Sequence, residues 1–209
     1  MPACGAVEER RVASAGRPLW TESTSPRWHL PCNGFDVDIV PLLDRCVALE
    51  RGAAEVYETL GTRLAADAEL RTLFATLATQ ERGHATKLNA WRALAAAEPI
   101  ERRPHASGFE QGVAVLERLL PSTLEAARDT EDVEKAFALA LALESSELDA
   151  IYTTLLQSSP IARFPDFHET VRRETTTHHE LLLDAVRRRS QDEGNRLRAA
   201  LLAARERGA

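Results

Sequence analysis

From residue 38 onward the apolar positions recur in steps of three and four, the spacing that gives an α-helix one buried face. The first such stripe is Leu43, Cys46, Glu50, Ala53, Tyr57, Leu60 and Leu64. Asp38 is placed to cap this helix and Pro41 is tolerated in its first turn, while Gly61 sits where the helix could weaken. A second stripe, Leu70, Leu73, Leu77, Glu81, His84, Leu88 and Trp91, starts from Asp67 or Ala68 and runs to about Glu98, where Pro99 and Pro104 stop it. A shorter helix is expected from Phe109 to Leu120, then Pro121 and a Ser122 cap opening another turn or two. The third long helix spans about Glu131 to Gln157 on Val133, Phe137, Ala140, Glu144, Glu147 and Ile151. After Pro160 and Pro165 the last one carries Phe167, His168, Val171, Thr175, His178 and Leu182 on one face and runs on as far as Gly194. Everything ordered reads as helix. Two apolar hairpins joined by a long crossover predict an all-α four-helix bundle over residues 37–190. An irregular arm, 1–36, precedes it, and a polar, fraying helical extension, 191–209, follows.

Composition narrows this picture. With a net charge of −6 and a pI near 5.6 the chain is not expected to bind nucleic acid or a membrane, and the Arg187-Arg188-Arg189 run reads as a solvated helix face. Cys4, Cys32 and Cys46 show no Cys-x-x-Cys spacing, so neither a disulfide framework nor a zinc site is indicated, and a reducing cytoplasm fits best. No apolar run approaches the ~20 residues of a membrane span, and the N-terminus lacks the apolar region of a secretory signal. Trp20 and Trp28 are the exception to the polar arm. Solvated tails rarely keep such residues, so part of the arm is expected to dock on the bundle or on a neighbouring subunit.

The chemistry lies where charged residues interrupt the stripes. An ionised carboxylate buried without a partner is costly, so Glu81 must pair, take up a proton or bind a metal. His84 lies one turn further along the same face. Sliding the sequence along itself by 94 positions lays Glu50 on Glu144, His84 on His178 and Leu88 on Leu182 without a gap. The repeat implies two similar hairpins that bring Glu50, Glu81, His84, Glu144, Glu147 and His178 to one level of the core. It fails at one position, where Thr175 stands opposite Glu81. Glu174 lies about 40° to one side of His178 and Thr175 about 60° to the other, which leaves Glu174 as a ligand only if it swings in. His168 reads as a core histidine with its bonds satisfied and His179 as a surface one.

The pattern Glu50-x6-Tyr57, Glu81-x-x-His84 and Glu144-x-x-Glu147-x4-Tyr152 resembles the rubrerythrin branch of the ferritin-like di-iron carboxylate superfamily, over roughly residues 40 to 185. The resemblance implies a ferritin-like bundle holding two iron ions, with manganese as the other candidate. Glu50 and Glu144 would be terminal ligands and Glu81 a bridge, with His84 and His178 each near one metal and Glu147 as a mobile extra ligand. Tyr57 and Tyr152 would hydrogen-bond the carboxylates. The activity implied is reduction of peroxide or dioxygen, of the peroxidase or ferroxidase type, with an external electron donor and a homodimeric assembly. Two departures count against a full match: Thr175 replaces a bridging carboxylate, and the Cys-x-x-Cys pairs of a rubredoxin domain do not follow. Two alternatives therefore stand beside it. One is a degenerate bundle that holds a single metal or binds iron without turnover, and the other is a metal-free helical assembly protein.

Overall fold

The computed structural model describes residues 39–97, 109–146, 151–152 and 165–208. These residues form helices and no strand: α1 (Ile39–Arg63), α2 (Ala68–Ala97), α3 (Phe109–Arg128), α4 (Val133–Glu144), α5 (Pro165–Arg189) and α6 (Glu193–Gly208), with Ile151 and Tyr152 in a further helical piece. The all-α class expected from the stripes is thus what the chain adopts. The N-terminal arm with Trp20 and Trp28, the cap expected at Asp38, Glu147 and the side chain of His168 lie outside the described residues.

α1 and α2 pair along their whole length, and the residues of their predicted stripes are the core: Leu43, Cys46, Ala53, Tyr57, Leu60, Leu70, Leu77, Leu88 and Trp91 are all buried. Asp67 starts α2 as expected, its Oδ1 accepting the backbone N–H groups of Glu69 and Leu70 at 3.1 Å each. Gly61 does not weaken α1. The helix runs through it, and the missing side chain lets α2 close in: a Cβ at Gly61 would lie 3.3 Å from that of Phe74 and 3.6 Å from the carbonyl of Arg71.

Three other boundaries differ from the expected ones. α3 does not stop at Leu120 but continues through Pro121 to Arg128. Its packing against α1, with Val113 and Leu116 buried, outweighs the backbone hydrogen bond that a proline cannot donate. α4 is shorter than the helix predicted over 131–157. It begins at the Asp132 cap, which accepts from the Lys135 N–H at 3.0 Å, and ends at Glu144. There the Ser146 N–H turns back to the carbonyl of Leu143 at 3.1 Å and the Ser146 hydroxyl binds the same oxygen. A serine side chain that takes a nearby carbonyl competes with the regular helical ladder. Finally, α5 ends at Arg189 rather than near Gly194, and α6 is not a frayed tail. Asn195, Ala199 and Leu202 are buried, and the Asn195 amide donates to both the carbonyl and the carboxylate of Glu134 on α4 at 2.9 Å.

The basic run at the end of α5 is not a free patch. Arg189 holds Glu69 at 2.9 Å and also binds Asp67, and Arg188 reaches Glu69 at 2.8 Å, so these cations sit on the acidic N-terminus of α2. No helix among the described residues is long and apolar enough to cross a membrane.

Candidate metal centre

The acids and imidazoles that break the stripes meet in the interior. Glu50 and His178 show no exposed surface, Glu81 and His84 show 2 %, and Glu144 shows 7 %. Each is delivered by ordinary helix geometry. Glu50 lies between Cys46 and Ala53 on the buried face of α1, Glu81 and His84 lie between Leu77 and Leu88 on α2, Glu144 ends α4, and His178 lies one turn before Leu182 on α5.

Two groups of ligand atoms form, each drawn together within 4.8 Å, and Glu81 belongs to both. In the first, Nδ1 of His84 lies 3.3 Å from Oε2 of Glu81 and 3.6 Å from Oε2 of Glu50. In the second, Nε2 of His178 lies 3.3 Å from Oε1 of Glu81 and 2.8 Å from Oε1 of Glu144. Each oxygen of Glu81 therefore faces a different imidazole, and each imidazole faces a different outer carboxylate. The two groups are alike in their Glu, Glu and His composition but not atom for atom, since His84 turns Nδ1 and His178 turns Nε2 towards Glu81.

The surroundings hold these groups in place. The hydroxyl of Tyr57 donates to Oε1 of Glu144. The ring of Tyr152 stacks on that of His84, with centroids 4.1 Å apart and planes 29° off parallel, and Tyr57 in turn stacks on Phe74. Burial, together with the like charge of Glu50, pushes the Glu81 carboxyl well above its ordinary range. Burial acts in the same direction on Glu144. There, however, the charge and hydrogen bond of His178, aided by His179, win and hold the group well below that range. Burial, and then the Glu50 carboxylate one turn on, push the Cys46 thiol up to about 12. It stays protonated and adds no thiolate to the cluster.

The remaining expected residues divide. Glu174 does not join the cluster: its carboxylate is partly exposed and pairs with Lys87 at 2.6 Å. Thr175 does face inward, 9 % exposed, and its hydroxyl has no hydrogen-bond partner among the described residues. Thr175, His178 and Leu182 thus share the inward face of α5, with a threonine at the position 94 residues after Glu81. His179, expected at the surface, is 3 % exposed and sets its Nε2 3.1 Å from Oε2 of Glu144. The stripe could not reveal it. Consecutive residues point about 100° apart on a helix, and it takes the end of α4, arriving between the two histidines, to give His179 a buried partner.

The donor set fits a cation. Among the described residues no lysine or arginine is buried, so of these residues it is the protons on Glu and His, or a bound metal, that could balance the three interior carboxylates. These buried Glu and His groups could hold a metal ion, and hard carboxylate oxygens with one imidazole on each side suit a hard or borderline cation better than a soft one. Comparison of the chain with models of protein families, with curated proteins and with solved structures gives no match.

Proposed function

We propose that the chain is a rubrerythrin-like, non-haem di-iron protein that reduces peroxide or dioxygen with electrons from a separate donor, built on a ferritin-like bundle and working in the cytoplasm. The observation that carries this reading is the sharing of Glu81 between two Glu/Glu/His groups, one on each side. A carboxylate with each oxygen facing a different imidazole is the arrangement a bridging ligand needs. Glu50 and His84 would hold one ion and Glu144 and His178 the other. A pair of bound irons supplies two electrons in one-electron steps, as many as the reduction of a peroxide consumes.

The protein's own groups prepare the site in three ways. Burial and the like charge of Glu50 favour a proton on Glu81, and a bound cation would favour its carboxylate form instead. Tyr57 fixes the Oε1 side of Glu144, and the Tyr152 ring fixes the plane of His84, so that the imidazoles need little reorganisation to serve as ligands. The apolar residues above and below, Leu77, Ala53, Leu88 and Phe137, keep bulk water from the cluster.

A second reading rests on Thr175. Its hydroxyl is a poorer ligand than the carboxylate it replaces, which favours a protein that holds a single metal in the Glu50, Glu81 and His84 half. Anaerobic titration of the purified, metal-free chain with ferrous iron tests both readings. Two equivalents, with peroxide then consumed faster than by the same amount of free iron, support the first. One equivalent supports the second. Metal below about a tenth of an equivalent, unchanged by Glu50→Ala and His84→Ala, would overturn both in favour of a metal-free helical protein whose acids pair with histidine.

A further inference from the structure

Glu144 is held from both sides. Its Oε1 faces the cluster, taken by the Tyr57 hydroxyl and by Nε2 of His178 at 2.8 Å. Its Oε2 points away and lies 3.1 Å from Nε2 of His179. His179 contributes no atom to either group of clustered donors, although it is buried and its ring centroid is 5.9 Å from that of His178. It thus touches the outer carboxylate of the second half without reaching the space where a cation would sit.

We infer that His179 is a positioning residue for the half of the site that lost its carboxylate at Thr175. Its Nε2, 3.1 Å from Oε2, is the polar neighbour that holds that oxygen in place and leaves Oε1 as the one Glu144 turns towards His178 and Glu81. The need for such a brace is local. Glu144 is the last residue of α4, where the chain turns at Ser145 and Ser146, so its backbone is less firmly set than that of Glu50 in mid-helix. Thr175 supplies no anionic ligand to take over if Glu144 rotates away. A group that orients a ligand carboxylate raises the metal affinity of that ligand's own site and leaves the neighbouring site alone.

The inference rests on the metal-binding reading above, and its test separates the two. The metal-free full chain and the variants His179→Gln and His179→Met are titrated anaerobically with cobalt(II), followed by its visible absorption. Gln and Met have similar volumes, but only Gln can donate to Oε2. In the parent two equivalents are expected to bind. In H179M the second should weaken by about 10- to 100-fold while the first is unchanged, and in H179Q it should stay within about threefold of the parent. Equal weakening in H179Q and H179M, or none in H179M, would overturn the positioning role and leave the metal reading standing. A parent that binds one equivalent, unmoved by either substitution, would overturn the positioning role and favour the one-metal protein, and a parent that binds none would overturn both. Should H179M fail to fold, the pair H179Q and H179N decides on the same grounds, because asparagine is polar but too short to reach Glu144.

Discussion

Glu81 and Glu144 are carboxylates of one cluster that the protein drives in opposite directions. For Glu81, burial and the neighbouring Glu50 raise the folded-state affinity for a proton. The folded chain then binds more protons than the unfolded one above the usual carboxylate range, and stability is lost as pH rises from about 4.5 towards the raised value. For Glu144 the histidines win over burial. That stabilisation is present above about 4.5 and is lost as the pH falls below it. In the metal-free protein, Glu81→Gln is therefore expected to stabilise the fold at pH 8 by about 1–3 kcal/mol and to have little effect at pH 4, whereas Glu144→Gln should destabilise it at pH 8 by a similar amount. Urea unfolding at the two pH values checks both signs, and E81Q should at the same time lose metal affinity. The residues concerned were legible in the sequence for a simple reason: a charge set among apolar residues at helical spacing is visible without coordinates. His179 was not, because its burial depends on where another helix stops.

At the scale of elements, the α1–α2 hairpin supplies Glu50, Glu81 and His84 to the site, and the sequence described it almost fully. Its stripes are long and apolar, and its start signal at Asp67 is unambiguous. The one misreading there was Gly61, a breaker by propensity that the tertiary structure uses for close approach. Gly61→Val should destabilise the fold by about 1–3 kcal/mol, because a branched side chain must displace the buried Phe74 or push α2 away. Thermal unfolding of the metal-free chain measures this, and an unchanged midpoint would mean that the helices separate at no cost. The later helices were harder to bound. Pro121 and the Ser145-Ser146 turn set local preference against packing, and the outcomes differ: packing carried α3 through a proline, while two serines ended α4 where the stripe alone would have continued. α6 read as polar because its buried face is narrow: among its described side chains it consists of Asn195, Ala199 and Leu202 with Ala203 beside them.

For the whole molecule, the cluster draws on both halves of the chain, Glu50, Glu81 and His84 from α1 and α2 and Glu144 and His178 from α4 and α5. A cation shared across that seam would join segments about a hundred residues apart, and its binding energy would add to the stability of the folded state alone. With ferrous iron or cobalt(II) at a hundred times its dissociation constant, about 2.7 kcal/mol of added stability is expected for each site filled. Calorimetry with and without metal measures it, and an unchanged unfolding temperature would count against binding in the interior. The burial of the donor atoms also has a kinetic side. An ion can reach a place with almost no exposed surface only while the protein is briefly open, so the rate of loading should stop rising once metal is abundant and settle at the rate of opening. A chelator on the way out meets the same gate. Iron would then leave slowly even where its equilibrium affinity is modest, and the helices packed over the cluster would set how long it stays.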